Sequence, residues 1–312
     1  MPYTFPRCRI IPQAGHQVSV QIDGQERLRW HAGEDYPRPF FFPFNGPSGH
    51  SLTRMGHPGA PNHDHHQSVW FAHSKVLGID FWSNTSPARI RQKEWLAYHD
   101  GNEQAILATR LAWYDGHDPE PLLEQQVIAI ARPGEIKGET LLELQSEFHP
   151  TAESLEFQQT NFGFLAVRVA SELAEHFGGG RLTNSEGLTG EKGRGEQPGV
   201  FGRPARWMDY SGPVPGDQTE GITFFDHPSN VGYPSSWHVR EDGWMGCSVC
   251  MHQPVLTTKV NPLRLRFLLH AHAGPVDAAR ASRIADEFVA WPRYEIIRST
   301  KMHQYYEARI AD

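Results

Sequence analysis

Five histidines lie within one stretch of 17 residues, His57–His73, whose sequence is HPGAPNHDHHQSVWFAH. The chain contains 18 histidines in 312 residues, so an even distribution would place about one in such a window. Imidazole can bind a metal, transfer a proton near neutral pH or hydrogen-bond a polar ligand. Turn signals at Pro58-Gly59 and Pro61-Asn62 predict a loop, so the stretch predicts a functional site without specifying its reaction.

The spacing of these histidines is compatible with a metal site. If residues His63–Gln67 are extended, the side chains of His63 and His65 lie on one face and that of His66 lies on the other. Two imidazoles on one face can hold a divalent metal, which is the one cofactor that the residues suggest. A third ligand would come from another histidine of the chain: His57, His227 or His238.

The same residue type is also a candidate for acid–base catalysis. An imidazole titrates close to neutral pH, so it can both donate and accept a proton in a reaction. Alternatively, these histidines hydrogen-bond loop carbonyls and shape a turn. The predicted catalytic residues are His63, His65, His66, His227 and His238.

A second group of residues combines aromatic rings with polar side chains. Sugars present apolar C–H faces and rims of hydroxyl groups, which aromatic rings and Asp, Asn, His or Arg side chains complement. Alternatively, Trp207 and Trp237 are core residues, and Asn184 and Glu186 form turns. His270, near the end of a strand, is either structural or part of the same cleft. The predicted substrate-binding residues are Arg38, Trp70, Asn184, Glu186, Trp207, Asp209, Tyr210, Asn230, Trp237 and Arg240.

Short strands with intervening turns are the elements that must position these residues. Val18, Val20 and Ile22 alternate with polar residues before Asp23-Gly24, a pattern that predicts a half-buried hairpin. Five later runs predict an antiparallel meander, because no helical segment separates them. These runs are Ala105–Tyr114, Leu122–Ala131, Thr140–Phe148, Ser154–Gln159 and Phe164–Ala170.

Further elements are predicted on either side of this meander. Before it, the apolar runs Ser68–Ala72 and Gly78–Trp82 predict two short strands. After it, a glycine-rich loop spans Gly178–Gly202, and Leu263–His272 predicts another strand. The only helix predicted with an apolar stripe is Pro275–Val289.

Composition restricts the class of protein. The net charge is −7 at pH 7 without a block of Lys or Arg, which argues against nucleic acid or an anionic membrane as the main partner. No run of about 18 apolar residues could span a bilayer, and the N-terminus has no apolar signal-peptide core. Three cysteines are too few for a disulfide framework. We therefore predict a cytoplasmic, all-β protein: one large antiparallel β-sandwich domain over residues 1–312, with few helices.

Three blocks of the sequence consist of several ungapped motifs. They are Tyr36–Pro39 with Asn62–His73 and Gly78–Trp82; Leu182–Gly187 with Ala205–Gly212; and Phe225–Asn230 with Ser236–Arg240. The blocks resemble a bacterial family of unknown function labelled "methane oxygenase PmoA-like". The resemblance covers about residues 30–275, leaving a C-terminal helix and tail at 275–312. It implies a β-sandwich similar to the galactose-mutarotase-like supersandwich, suggests carbohydrate chemistry, and leads us to expect a lysine where this chain has Asn161.

The residues and the resemblance together indicate a carbohydrate-active enzyme. We expect a small-molecule carbohydrate substrate and an epimerase, lyase or glycoside-cleaving reaction, in which histidines act as acid and base or hold a metal. Arg38 or Arg240 would bind a hydroxyl or carboxylate group. Two alternatives remain, a non-catalytic carbohydrate-binding protein and a histidine-ligated metal oxidoreductase, the class that the family label favours. The sequence leaves the oligomeric state open.

Overall fold

The computed structural model describes residues 5–57, 59–60 and 63–311. Pro58, Pro61 and Asn62, at which turns are predicted, lie outside the described residues. Strands make up 50% of the structure and helices 6%, which confirms the predicted all-β antiparallel class. Among the described residues, no helix is long and apolar enough to cross a membrane.

Strands follow one another along the chain with few helices between them. A short 3-10 helix spans Ser171–Leu173, and the α-helix α1 spans Ala278–Ala290. The strands of the first half are β1 (Cys8–Gln13), β2 (Gln17–Ile22), β3 (Gln25–His31), β4 (Phe40–Phe44), β5 (Val69–His73), β6 (Arg89–His99), β7 (Ala105–Tyr114), β8 (Leu123–Pro133), β9 (Thr140–Pro150), β10 (Ser154–Phe157) and β11 (Gly163–Arg168). Those of the second half are β12 (Arg181–Asn184), β13 (Gly193–Arg194), β14 (Gln197–Pro198), β15 (Trp207–Val214), β16 (Gln218–Asp226), β17 (Ser236–Arg240), β18 (Trp244–Ser248), β19 (Val255–Thr258), β20 (Leu263–Ala273), β21 (Tyr294–Arg298) and β22 (Tyr306–Ile310).

Two eight-stranded antiparallel sheets form the sandwich. The first sheet has the order β1-β2-β3-β4-β5-β11-β18-β17, and the second has the order β12-β15-β16-β20-β9-β8-β7-β6. The predicted meander is confirmed for β7, β8 and β9, which are neighbours in the second sheet. However, β10 pairs with β19, and β11 crosses into the first sheet beside β5. The meander prediction is therefore correct for the strands but wrong for the last two pairings.

The inner faces of the two sheets pack against each other in one apolar core. Along β20, the side chains of Leu263, Leu265, Phe267 and Leu269 all belong to this core, as the alternation of the sequence predicts. Val69 of β5 contributes from the opposite sheet. Burial of each such side chain stabilises the fold by roughly 1.5–3 kcal/mol. The intervening residues of every strand must then point to an outer face.

The outer face of the second sheet is covered by the C-terminal elements. Trp207 of β15 and Phe225 of β16 pack against Phe288 of α1. The hairpin β21–β22 covers β6, β7 and β8, where Leu96 and Ile106 are buried. This hairpin and β6 were not among the predicted strands. Most of this outer face is therefore occupied by the chain itself.

Helix α1 confirms the predicted late helix but begins three residues after Pro275. The reason is its N-cap, since the Asp277 carboxylate accepts hydrogen bonds from the backbone N–H groups of Ala279 and Arg280. The buried stripe starts accordingly later than the sequence suggests. Its members are Ala281, Ile284, Ala285 and Phe288.

The predicted strand at Gly78–Trp82 is wrong. Residues in this range form bends and turns, with one isolated bridge between Val76 and Ile79. The cause is Asp80, whose Oδ1 accepts hydrogen bonds from the backbone N–H groups of Trp82 and Ser83 at 2.7 and 3.1 Å. A side chain that satisfies nearby backbone donors in this way competes with strand pairing. As a result, Trp82 turns back over the first sheet.

Candidate functional site

Three tryptophans form a floor on the outer face of the first sheet. Trp70 of β5 and Trp244 of β18 project outward because their neighbours Val69 and Met245 belong to the inner core. Trp82 lies over them, with its ring centroid 5.3 Å from Trp70 and 5.8 Å from Trp244. All three side chains are at most 4% exposed. We call these three residues the indole floor.

Two buried imidazoles complete the floor. The His66 ring stacks against Trp70 and Trp244 at centroid distances of 5.6 and 5.8 Å. The His238 ring, from β17, meets Trp244 edge-on at 3.9 Å and Phe162 at 4.8 Å. Aromatic and imidazole rings therefore contact one another across the outer face formed by strands β5, β11, β18 and β17.

Three half-buried imidazoles form a row at the rim. The His63 ring lies 5.3 Å from His66, and the His65 ring lies 4.3 Å from His66. His57 extends the row, with its ring 5.6 Å from that of His63. Each of the three is partly exposed, whereas the floor beneath them is buried. We call His57, His63 and His65 the rim histidines.

The extended conformation assumed for His63–Gln67 is wrong, because the backbone turns there. The N–H of His66 donates to the carbonyl of His63 at 3.0 Å, and the N–H of Gly56 donates to the carbonyl of His66 at 2.8 Å. The turn brings the rings of His63, His65 and His66 together instead of separating them by face. Within residues 5–57, 59–60 and 63–311, no group of three or more His, Cys, Asp or Glu side chains has the arrangement of a metal site.

Arg38 holds the two loops that carry the site. It is 2% exposed, and it donates to the carbonyl of His65 at 3.0 Å and to the side chain of Gln67 at 3.1 Å. It also donates to the carbonyl of Trp82 at 2.6 Å. Burial lowers the pKa of Arg38 to about 9. Both terminal nitrogens of the guanidinium therefore bind acceptors within the protein and tie the two loops together, whereas the sequence predicts that Arg38 binds the substrate.

Several buried polar atoms of the floor have no hydrogen-bond partner among the described residues. Such atoms are uncommon in folded proteins, because an unpaired buried donor or acceptor costs roughly 1–3 kcal/mol. Other such atoms are scattered over the described part of the chain, but five of them lie on adjoining rings of the floor. They are Nε1 of Trp70, Trp82 and Trp244, Nδ1 of His66 and Nε2 of His238.

A surface cavity of about 520 Å³ adjoins the floor. Phe201 and Arg240 line it, and the Phe201 ring lies 5.2 Å from that of His238. Small-molecule sites commonly enclose roughly 300–1,000 Å³. The space beside His238 is thus large enough for a ligand of monosaccharide size.

Burial keeps the floor imidazoles neutral. The pKa of His66 lies far below its usual range, because burial and the charges of neighbouring groups disfavour the imidazolium. The pKa of His238 is lowered to about 3, chiefly by burial and further by Arg240. Neutral imidazoles can donate and accept hydrogen bonds, but they are weak bases at pH 7. Proton transfer by histidine at this site therefore depends on the rim.

The low pKa of His238 predicts a measurable loss of stability in acid. Its folded-state pKa of about 3 lies below the 6.5 of an unfolded chain, so unfolding takes up a proton and stability is lost as the pH falls below 6.5. Between pH 7 and pH 5 this amounts to about 2 kcal/mol. Urea unfolding at both pH values should show a loss about 2 kcal/mol larger in the wild type than in His238→Asn. Equal losses in the two proteins would contradict this assignment.

Charged residues at the rim occur as pairs. Arg168 of β11 donates to both carboxylate oxygens of Asp242, at 2.9 and 3.3 Å. Burial raises the pKa of Asp242, but the hydrogen bond and charge of Arg168 outweigh it, so the pKa is lowered overall. Arg240 contacts Glu191 at 3.1 Å. Arg168 therefore holds Asp242 in the charged form, and both carboxylates have an arginine partner.

Part of the second predicted constellation lies on the opposite side of the molecule. Trp207 and Asp209 point to the outer face of the second sheet. There, Asp209 accepts hydrogen bonds from Ser211 at 2.5 Å and from Thr223 at 2.8 Å, and His272 Nε2 lies 2.8 Å from the same carboxylate. His270 sits in the same layer, 3.2 Å from a carboxylate oxygen of Glu139. The structure does not bring these residues to the histidine row.

The turn after β16 holds two more predicted residues away from the site. His227 Nδ1 is 2.7 Å from the hydroxyl of Ser229, and its ring packs on Phe288 of α1. Burial lowers the pKa of His227 to about 4. The Asn230 side chain donates to Asp226 at 2.7 Å and shapes the turn.

Three of the remaining residues are inside the sandwich or in a turn. Tyr210 and Trp237 belong to the inner core, and the indole N–H of Trp237 donates to a backbone carbonyl at 2.9 Å. The Asn184 side chain accepts from the N–H groups of Glu186 and Leu188, so it forms the turn that the sequence offered as an alternative. Glu186 is exposed beside it. Of the predicted set, the first-sheet face thus collects His63, His65, His66, His238, Trp70 and Arg240.

Several residues of the site were not singled out in the sequence. Trp82 and Trp244 lay in stretches assigned to a strand and a turn, and Phe162 lay in a short polar break. The available signal was composition, since two of nine tryptophans stand close to Asp and Gly turn residues. Arg168 and Asp242 gave no local signal, because they meet only when β11 and the turn before β18 come together.

Known proteins give limited guidance. No curated protein matches the chain. One solved structure with some similarity is that of a protein from Salmonella typhimurium described provisionally as a mutarotase. The two sequences are 11% identical, and the match covers 86% of this chain and 97% of that protein, with a TM-score of 0.30. A likeness this weak supports no argument about function. In sequence, residues 17–286 match the model of a family of unknown function, DUF6807. This range includes the rim histidines and the indole floor. The chain belongs to that family of unknown function, DUF6807.

Proposed function

We propose that the outer face of the first sheet binds a carbohydrate and that the rim histidines move a proton on it. The observation that supports this most is the set of five buried polar atoms without partners on the rings of the floor, counted among the described residues. Because the indoles are at most 4% exposed, a polyhydroxylated ring would sit above the floor and direct its hydroxyl groups towards those atoms. An apolar ligand would leave them unpaired, which makes a hydrocarbon or lipid ligand a poorer match.

The mix of donors and acceptors suits sugar hydroxyl groups. Each indole Nε1 of Trp70, Trp82 and Trp244 can only donate, whereas a neutral imidazole nitrogen can donate or accept. A hydroxyl group does both, so it can pair with either kind. The apolar C–H face of a sugar ring would then lie against the partly exposed rings beside the floor, those of Phe201 and the rim histidines.

The charges at the rim favour an epimerase or lyase over a carboxylate-based glycoside-cleaving enzyme. A glycosidase usually needs one protonated and one ionised carboxyl group flanking the scissile bond. Here Asp242 and Glu191 are each bound to an arginine. The half-exposed His63 and His65 are the groups best placed to abstract or return a proton.

A non-catalytic carbohydrate-binding protein is the second candidate. The neutrality of His66 and His238 favours it, since two of the five predicted catalytic histidines serve hydrogen bonding more readily than proton transfer. A histidine-ligated oxidoreductase, the class suggested by the PmoA-like label, gains no such support from the geometry. The proton-transferring enzyme and the non-catalytic binding protein would share one binding site and differ only in whether the bound sugar is converted.

Replacing Trp82 by phenylalanine is expected to weaken sugar binding about tenfold, because the ring remains while one indole N–H donor is lost. The matched control is Trp95→Phe, on the edge strand β6 of the second sheet, which should bind as the wild type does. Isothermal titration with glucose, galactose, mannose and xylose measures both. If Trp82→Phe and the wild type bound every sugar with equal affinity, the indole floor would have no role in sugar binding.

Turnover is tested separately by proton NMR in D₂O. A proton-transferring enzyme should exchange a C–H proton of a bound sugar for deuterium, or form an epimer or an unsaturated product. Full retention of every sugar proton, with binding intact, would leave the non-catalytic candidate. Absence of binding by all sugars would refute both candidates.

A further inference from the structure

We propose that Arg54, supported by the nearby charge of the buried Arg168, forms an anion subsite at the end of the row of rim histidines, so that the ligand is a sugar bearing a carboxylate or a phosphate. This inference rests on the proposed function for the sugar part, but not for the anion. Neither arginine was singled out in the sequence, and both lie within the family match at residues 17–286.

The backbone brings the two arginines together. The N–H of Arg54 donates to the carbonyl of Arg168 at 3.1 Å. Ser68, at the end of the turn that holds His66, donates to the carbonyl of Arg54 at 3.1 Å and accepts from the N–H of Arg168 at 2.7 Å. These hydrogen bonds join both ends of the loop that contains the rim histidines to strand β11. The side chains of both arginines extend from this junction.

Arg54 is a cation without a carboxylate partner among the described residues. Its guanidinium makes a hydrogen bond of 3.0 Å to the backbone carbonyl of Asp242, and its buried Nε has no partner in the described part of the chain. Burial, followed by the charge of Arg168, lowers the pKa of Arg54 to about 10. The charges of Asp242 and then Glu172 raise the same pKa by less, and neither carboxylate forms an ion pair with Arg54 in the described part of the chain. An additional anion beside Arg54 would therefore be stabilised.

The carboxylate of Asp242 is bound by Arg168 and not by Arg54. It leaves the buried Nε of Arg168 unpaired among the described residues. Of the two guanidinium groups, only that of Arg168 therefore has an ion-pair partner in the described part of the chain. Guanidinium pairs carboxylate and phosphate oxygens in a bidentate manner, which is the strongest class of protein hydrogen bond.

The subsite is continuous with the row of imidazoles. The Phe177 ring lies 5.5 Å from the guanidinium of Arg54 and 5.3 Å from the ring of His57. His57 Nε2 is 3.8 Å from Asp242, and its ring is 5.6 Å from that of His63. An anionic group held at Arg54 would thus direct the attached sugar ring along the row towards His63 and the floor. Arg240, which the sequence suggested for this task, is instead at the far end of the floor and is paired with Glu191.

The experiment compares anionic with neutral ligands by isothermal titration. Wild type should bind glucuronate or glucose 6-phosphate about tenfold to about a hundredfold more tightly than glucose, the usual worth of charged hydrogen bonds. Arg54→Gln should abolish this preference and leave glucose affinity unchanged, whereas Arg54→Lys should retain part of it. Arg264→Gln, an exposed position on β20 of the other sheet, is the matched control and should behave as wild type. The two anionic sugars distinguish a carboxylate from a phosphate ligand.

The outcomes separate this inference from the proposed function. Equal affinity for glucose and both anionic sugars, or an unchanged preference in Arg54→Gln, would overturn the anion subsite while sugar binding stands. Arg54-dependent binding of inorganic phosphate without binding of any sugar would keep the subsite and refute the carbohydrate. Absence of binding by sugars and phosphate alike would overturn both.

Discussion

Replacing Arg38 by methionine is expected to lower the free energy of unfolding by about 3 kcal/mol and to abolish ligand binding at the indole floor. Methionine approximates the volume of the buried stem, but it leaves the carbonyls of His65 and Trp82 without their donor. Each unpaired buried acceptor costs roughly 1–3 kcal/mol. The loops that contain His65 and Trp82 would then no longer be bound to the segment that precedes β4.

Arg38→Lys is the matched variant for this prediction. Lysine keeps the positive charge but has one compact ammonium group, which cannot span the acceptors on both loops as the guanidinium fork does. We expect an intermediate loss of stability and a similar loss of binding. Urea unfolding and titration with the tightest sugar measure the two effects. If Arg38→Met retained both the stability and the affinity of the wild type, Arg38 would have no positioning role.

The strands of this fold could be predicted because their sequence pattern is local. Val18, Val20 and Ile22 alternate, and they form β2 with every one of them buried. The run Ala105–Tyr114 was predicted with the same bounds as β7, because a strand that is mostly buried is mostly apolar, and only Thr109 and Arg110 interrupt the run before Tyr114. The sheet partners of β10 and β11 could not be predicted in this way, since strand pairing depends on residues far apart in the chain.

The candidate site was predicted in part for the same reason. His63, His65 and His66 are close in sequence, so their proximity in space needed only a loop. Trp207 and Tyr210, in contrast, are three residues apart and face opposite sides of one sheet. Density of polar and aromatic residues cannot tell which face of a strand each will occupy. The register of β15 decides it, and that register is set by pairing with β16.

Burial changed the predicted roles of the histidines more than their positions. His66 and His238 were expected to act as acid or base, but the tryptophans that surround them remove them from water and hold them neutral. The sequence contains these tryptophans without indicating their contact with the imidazoles. Within the proposed site, we therefore assign hydrogen bonding of the ligand to His66 and His238 in the floor, and proton transfer to the rim histidines.

Replacing His65 by alanine is expected to lower kcat by about 10²–10⁴, the usual contribution of one positioned general acid or base. The His65 ring is held 4.3 Å from that of His66 and 6.3 Å from that of Trp82, and its backbone carbonyl accepts a hydrogen bond from Arg38. A group fixed in this way can meet the same sugar proton in every turnover. The substrate for the measurement is whichever sugar shows proton exchange in D₂O.

His238→Asn is the control that separates proton transfer from binding. Asparagine can still donate and accept hydrogen bonds, and the native imidazole is neutral at every pH above about 5 because its pKa is about 3. We therefore expect a higher KM, less than about a tenfold change in kcat, and an unchanged pH profile between about pH 5 and 8. His65→Ala should instead lose the limb of the pH profile that an imidazole contributes. If both variants raised KM alone and left kcat intact, the face would be a binding surface, and proton transfer by the rim histidines would be excluded.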